Sequence, residues 1–316
     1  MSTRQRDLFD PLKAVAPGQD HAAAPRPAEP ELWPPVEVSD PTSQALPLVF
    51  SSPHSGCIYP DAFLSATRLD PLALRRSEDA FVDDLFAFAS DIGAPLLRAR
   101  FPRAFLDVNR EAFELDPRMF EGRLPSYANT RSLRVAGGLG TIARLVSDGQ
   151  EIYARRMSVE EGLERVAALY QPYHDELRRL LVRTLTAFNH VLLVDCHSMP
   201  STGNDRPRAD IVLGDRYGTS CAPIVLDVME YELRRLGYSV HRNKPYAGGF
   251  ITEHYGNPKA GCHAVQIELN RALYMDEATL IPNRGFEPLR RDLRVMSLAL
   301  AEAFGGQGLD LKAAAE

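Results

Sequence analysis

Residues 189–198 read Asn-His-Val-Leu-Leu-Val-Asp-Cys-His-Ser (NHVLLVDCHS). The stretch from Val191 to Val194 is wholly aliphatic and short, the pattern of a strand buried on both faces. In open α/β sheets, ligands sit at the carboxyl ends of such strands. His197 stands at that end. Asp195 lies two residues before it and is read as orienting the imidazole, because an acid on a buried strand is otherwise hard to explain.

Working outward, LPLVFSSPHSG (46–56) is another apolar stretch feeding a loop through Pro, His and Gly. APLLRARF (94–101), ADIVLGD (209–215), YSVHRN (238–243) and HAVQIELN (263–270) add further strands, with EYELRRLG (230–237) a helix between two of them. Ser77-Glu-Asp is expected to open a helix with Phe81, Val82, Leu85 and Phe88 on one side, its acids suiting the helix dipole. Ser158 and Glu161 form a capping box for a long helix carrying Leu163, Val166, Tyr170, Tyr173 and Leu177 on one face, which Pro172 should kink or break. The last helix runs from about Glu287 to Phe304. Strands alternating with helices predict an α/β fold, a three-layer α/β/α sandwich around a mostly parallel mixed sheet. Residues 111–157, rich in Gly and Arg, show no clean period.

The chain has 316 residues, 45% hydrophobic and 25% charged, enough apolar material for a core without a disulfide or metal staple. Lys and Arg number 36 against 42 Asp and Glu, a net charge of −6, which argues against a nucleic-acid binder. Cys57, Cys196, Cys221 and Cys262 form no CxxC pair and read as reduced thiols of a cytoplasmic protein. No apolar stretch has signal-peptide or membrane-span length, so no membrane association is expected. Eight of the 24 prolines fall in the first 46 residues. Residues 1–45 are therefore expected to be an extended or disordered arm, with Trp33 as the side chain by which it would dock. The catalytic domain is expected over 46–305, with 306–316 a flexible tail.

The chemistry-bearing residues stand at the predicted strand ends: His54, His197, Asp215 and Glu268. Two histidines and a carboxylate suit a catalytic zinc site, which needs three protein ligands and one open position. The HExxH helix signature, the GxSxG elbow and the P-loop are all missing from the sequence. FPRAFLDVNR (101–110) interleaves Arg103, Asn109 and Arg110 with apolar residues; the competing reading of either arginine is an ion pair with Asp107 or Glu111. NKPYAGGFITEHYG (243–256) can close over a ligand, Gly248 and Gly249 allowing close backbone approach, or can be a plain connection. His174 reads as a structural histidine on a helix face.

PHSG, FLDVNR, VDCHS, NKPYAGGFITEHYG and VQIELNRALYMDE resemble, in that order, the N-formylglutamate amidohydrolase family, and more distantly the zinc carboxypeptidases and aspartoacylase. The resemblance runs from about Leu46 to Glu277. It implies a zinc-carboxypeptidase-like fold and one Zn2+ per chain, other divalent metals being possible, held by His54, His197 and a third ligand. The distant relatives place a glutamate three residues after the first histidine, where this chain has Cys57; the closer family points to Asp79, with Glu78 and Asp83 as alternatives. The resemblance further implies Glu268 as general base and acid, Arg103 at the oxyanion, and Asn109 and Arg110 as a clamp for a substrate carboxylate. Arg216, Gly249, Thr252 and Tyr255 are further expected substrate contacts. The implied reaction is hydrolysis of N-formyl-L-glutamate, a step of histidine degradation, with a small N-acyl amino acid as the substrate and no nucleic-acid or membrane partner. A deacylase or carboxypeptidase for another N-acyl amino acid or peptide, and a non-catalytic carboxylate-binding protein, are the alternatives.

Overall fold

The computed structural model describes residues 27–146, 149–203, 206–207 and 209–306. Its main sheet comprises β1 (Val36–Ser39), β2 (Leu48–Ser52), β3 (Leu96–Ala99), β4 (Val191–Met199), β5 (Ile211–Gly214), β6 (Val240–Arg242) and β7 (Cys262–Asn270). The spatial order is β1-β3-β2-β4-β7-β5-β6. β4 runs parallel to β2 and to β7, and β5 parallel to β6, while β7 meets β5 antiparallel. This is the mostly parallel mixed sheet of the expected α/β class, with helices on both faces.

Every residue of β4 and β7 is buried, which is why neither segment alternates apolar with polar. Covering each Leu or Val there contributes about 1.5–3 kcal/mol. The parallel register sets Asp195 beside Gln266 and His197 beside Glu268. Because side chains alternate along a strand, all four project from one face of the sheet.

By its contacts the chain forms two compact units. One takes the described residues up to Val38 with Ser52–Phe81 and Leu97–Arg179; the other takes Ser39–Ser51, Val82–Leu96 and the described residues from Leu180 onward. In the first, the Ser158 hydroxyl accepts the Glu161 N–H, whereas the Glu161 carboxylate turns to Arg165, so half of the expected capping box forms. The helix Val159–Arg165 passes through a π-helical turn, Val166–Tyr170, into α1 (Gln171–Phe188). Pro172 has no N–H to return to the preceding turn, and the widened π turn absorbs that loss instead of breaking the helix. In the second unit α2 (Pro223–Arg235) packs on α4 (Phe286–Gly306), and α3 (Phe250–Tyr255) packs on β7 and β4. No described helix is long and apolar enough to cross a membrane.

One expected helix differs from what forms. The helix predicted to open at Ser77 spans only Val82–Leu85, followed by a 3-10 turn at Ala87–Ile92. Phe81 has φ 64°, a left-handed conformation that a continuous helix cannot contain. The arm expected over 1–45 is ordered within its described part. β1 belongs to it, and Arg100 ties it down by donating N–H bonds to the Pro35 and Pro34 carbonyls at 3.0 and 2.7 Å. An edge strand tolerates flanking prolines. Leu32, at 0% exposure, is buried, as are Pro27 and Pro35, while Trp33 is 44% exposed. Residues 1–26 of the arm and 307–316 of the tail lie outside the described residues.

Candidate active site

In the first unit the site is built around Asp107. β2 ends in the Ser-Ser-Pro-His-Ser-Gly turn, and Gly56 closes it because a Cβ there would lie 2.1 Å from the Phe101 carbonyl oxygen. This close passage carries the chain past the loop bearing Arg103 and Asp107. His54 is buried, with Nε2 2.7 Å from Asp107 Oδ1 and Nδ1 3.3 Å from Asp79 Oδ2. The Asp79 N–H donates to the His54 carbonyl at 3.0 Å, and the Ser55 hydroxyl donates to the Asp79 carbonyl at 3.0 Å. Backbone and side chain together fix Asp79 against His54.

Asp107 also accepts from Arg103 Nε at 3.1 Å and from the Asn109 N–H at 2.9 Å, and lies 3.4 Å from Arg110 Nη2. Burial raises the affinity of its carboxyl for a proton, but Arg110, His54 and Arg103 outweigh that and hold it well below the usual carboxylate range. An ionised Asp107 can only accept, so His54 Nε2 carries the proton and Nδ1, turned toward Asp79, presents its lone pair. The Arg110 guanidinium also donates to the Leu139 and Asn109 carbonyls. The pairing of Arg103 and Arg110 with Asp107 is thus realised; Glu111 instead accepts from Asn129.

Of the alternatives to Asp79, Glu78 is engaged by Tyr59 at 2.6 Å and by Arg75 at 3.0 Å, while Asp83 is only half-buried. Asp79 lies three residues ahead of the helix Val82–Leu85 and outside its first turn, so a role as a helix-start acid does not explain it.

In the second unit His197 Nε2 lies 2.9 Å from Asp195 Oδ2, and Ser51 donates to the other Asp195 oxygen at 3.4 Å. Asp195 therefore orients His197, as its spacing suggested. Glu268, buried beside His197 in the sheet register, accepts from the Gln266 side-chain amide at 2.8 Å. The Gln266 carbonyl oxygen in turn accepts the Gly249 N–H at 2.7 Å. The Gly248–Gly249 segment thereby connects to Glu268 through one side chain. It reaches the sheet at Gly214, where a Cβ would lie 2.7 Å from the Ala247 carbonyl carbon.

Thr252 is buried, and its Oγ1 has no hydrogen-bond partner among the described residues. Tyr255 is buried in the core on the same helix. Arg216 pairs with Glu253 at 2.7 Å and donates to the Gly248 carbonyl at 3.3 Å. Asp215 organises its own turn, accepting from Gly218 and Asn243 at 3.0 and 2.8 Å. His174 is a buried structural residue, 2.9 Å from the Val108 carbonyl. All four cysteines are free thiols.

The structure thus gathers His54, Asp79, Arg103, Asn109 and Arg110 in one unit, and His197, Glu268, Gly249, Thr252, Tyr255 and Arg216 in the other. Among the described residues, the group able to hold a metal ion is His54, Asp79 and His197, all buried. Two participants escaped the sequence reading. Asp107 was weighed only as an arginine partner, and Gln266 was not weighed. Two-residue spacing from Glu268 on a strand was the signal that could have found Gln266.

The chain is similar to known proteins over most of its length. Residues 46–275 match the family model described as N-formylglutamate amidohydrolase. The N-formylglutamate deformylase of Pseudomonas putida is 30% identical over 271 residues, covering 84% of this chain and 94% of the relative. That of Pseudomonas aeruginosa is 31% identical over 238 residues, covering 73% and 83%. The crystal structure of N-formylglutamate amidohydrolase from Ralstonia eutropha JMP134 superposes with a TM-score of 0.81 at 38% identity, covering 87% of this chain and 99% of that one.

Proposed function

Because the chain belongs to the N-formylglutamate amidohydrolase family, we propose that it hydrolyses N-formyl-L-glutamate to formate and L-glutamate, using one zinc ion per chain held by His54, Asp79 and His197. The observation that carries the reading is the paired arrangement of acid and imidazole. His54 has Asp107 on its Nε2 and His197 has Asp195 on its Nε2. A histidine that ligates a metal through one nitrogen hands its other N–H to a carboxylate in this way, which fixes its tautomer and raises its basicity. Two buried imidazoles and a buried carboxylate are also a donor set that zinc accepts, and a bare cluster of such groups would be costly to bury without a cation.

Zinc bound there would supply Lewis acidity toward the amide carbonyl oxygen. Glu268 takes a proton from the attacking water and returns it to the amide nitrogen as the amino acid leaves. Gln266 holds one oxygen of Glu268 and so fixes the carboxylate's orientation for this transfer. Arg103 faces the negative charge that develops on the carbonyl oxygen. Arg110 and Asn109 grip a carboxylate of the substrate, the planar guanidinium matching it in a way a lysine ammonium cannot. Thr252 supplies a buried hydroxyl, and Gly249 and Arg216 shape the loop beside it; Tyr255 supports that helix from the core side.

A panel of N-formyl, N-acetyl and N-succinyl derivatives of glutamate and aspartate, with short peptides, tests the substrate. We expect N-formyl-L-glutamate to have the highest kcat/KM. A higher value for an acetyl, succinyl or peptide substrate would overturn the formyl assignment while keeping the hydrolytic site.

A further inference from the structure

Residues 111–157, which gave no period in the sequence, contribute to a second cavity, one that shares no residue with the candidate active site. Its volume is about 240 Å³, and its lining includes Arg68, Arg118, Arg144, Arg155 and Arg156. The backbone explains how residues far apart in sequence meet. The Arg68 N–H donates to the Ile152 carbonyl at 2.8 Å, the Ala154 N–H to Ala66 at 2.9 Å, and the Ile152 N–H to Arg144 at 2.9 Å. Three segments are thereby held side by side around the buried Ile152, each contributing guanidinium groups to the same hollow.

The charge there is unbalanced. Glu151, the one acid among the described residues of the lining, pairs with Arg68 at 3.6 Å and Arg144 at 3.3 Å. Asp116, buried behind the lining, pairs with Arg118 at 2.8 Å and with Arg144 at 3.0 Å. No acid among the described residues pairs with Arg155 or Arg156. Among the described residues, five guanidinium groups against two carboxylates leave a formal excess of three positive charges. Asp116 and Glu151 also fix the Arg144 side chain, only 19% exposed, so that part of the site is already ordered. Like charges gathered this closely repel one another, and a bound anion relieves that repulsion while taking paired N–H donors from planar groups.

We infer that this arginine-lined cavity is a binding site for a small multiply charged phosphate-type anion, separate from the hydrolytic centre. The surplus matches the charge of inorganic diphosphate rather than that of a single carboxylate.

The test titrates the metal-loaded full chain with inorganic phosphate, diphosphate and tricarballylate at constant ionic strength, by calorimetry. We expect saturable binding of one diphosphate per chain, tighter than phosphate or tricarballylate. The double variant Arg155→Ala/Arg156→Ala should weaken it by about tenfold or more, since a hydrogen bond to a charged group is worth that much. Arg155→Lys/Arg156→Lys should restore only part of the loss, because ammonium groups keep the charge without the planar fork. Neither pair of substitutions should alter melting temperature or turnover of N-formylglutamate. Lack of saturable binding by the parent, equal binding by the alanine variant, or displacement by N-formylglutamate would each overturn the assignment; the last would place the anion in the hydrolytic site. Tighter binding of tricarballylate would overturn the phosphate class. None of these readings depends on which amide the enzyme hydrolyses.

Discussion

Asp107 concentrates the chemistry of the first unit in one carboxylate. It holds His54, Arg103 and Arg110 at once, and all three keep it ionised. Replacing it with asparagine should weaken metal affinity about 10- to 100-fold, as loss of a ligand's hydrogen-bonding partner does elsewhere, measured by competition with a chelating dye. Unchanged affinity would separate Asp107 from the metal centre. At Glu268 the expected outcome is different in kind. Glu268→Gln should retain metal and lose about 10²- to 10⁴-fold in kcat. Retained turnover would remove Glu268 from the proton transfers. A third residue sets acid stability. Burial, with His190 nearby, pulls the buried His263 down to about 4 from 6.5, and its Nδ1 accepts the Ala222 N–H at 3.0 Å, which requires the neutral ring. The unfolded chain therefore binds the proton first, and stability falls as pH drops from about 6.5 toward 4. His263→Asn keeps an acceptor but cannot titrate, so its melting temperature should fall less across that window than the parent's. Equal acid loss in both proteins would contradict this account of His263.

Strands β4 and β7 place Asp195, Gln266, His197 and Glu268 on one face simply by register and alternation. A slip of one residue would turn the set to the opposite face, so the aliphatic residues that fix register also fix the chemistry. Truncating Leu193, in the centre of β4, should cost about 2–5 kcal/mol in denaturant unfolding, with a cavity in place of the side chain. At the end of β5, Gly214 leaves room for the Ala247–Gly248 backbone. Gly214→Ala forces that loop away from the sheet and should disturb the Gly249–Gln266 bond. A raised KM for N-formylglutamate with metal binding intact is the expected result, and unchanged kinetics would show that the loop's seat on β5 does not matter to the substrate. Much of this level was legible in the sequence, because a buried parallel strand announces itself as an unbroken apolar run. The helix expected from Ser77 was not, since the left-handed Phe81 that interrupts it has no local sequence signal.

Across the whole molecule, legibility followed the distance over which residues interact. His54, His197 and Glu268 were candidates from their predicted strand ends, and Asp79 from the family resemblance. Asp107 as the partner of His54 depends on contacts 53 residues apart, and the arginine cavity on backbone pairing between residues 66–68, 144 and 152–154. Neither is encoded by a periodicity. Within the proline-rich segment, whose composition is that of an arm, Val36–Ser39 finds an edge of the sheet. What joins these levels is the claim that His54, Asp79 and His197 hold a metal that amide hydrolysis requires. The measurement that tests it most directly is metal content by elemental analysis alongside formate release from N-formyl-L-glutamate, before and after chelation and after zinc is restored. The account predicts about one zinc per chain, formate release abolished by the chelator, and recovery on adding zinc back. Undiminished formate release from metal-free protein would contradict it.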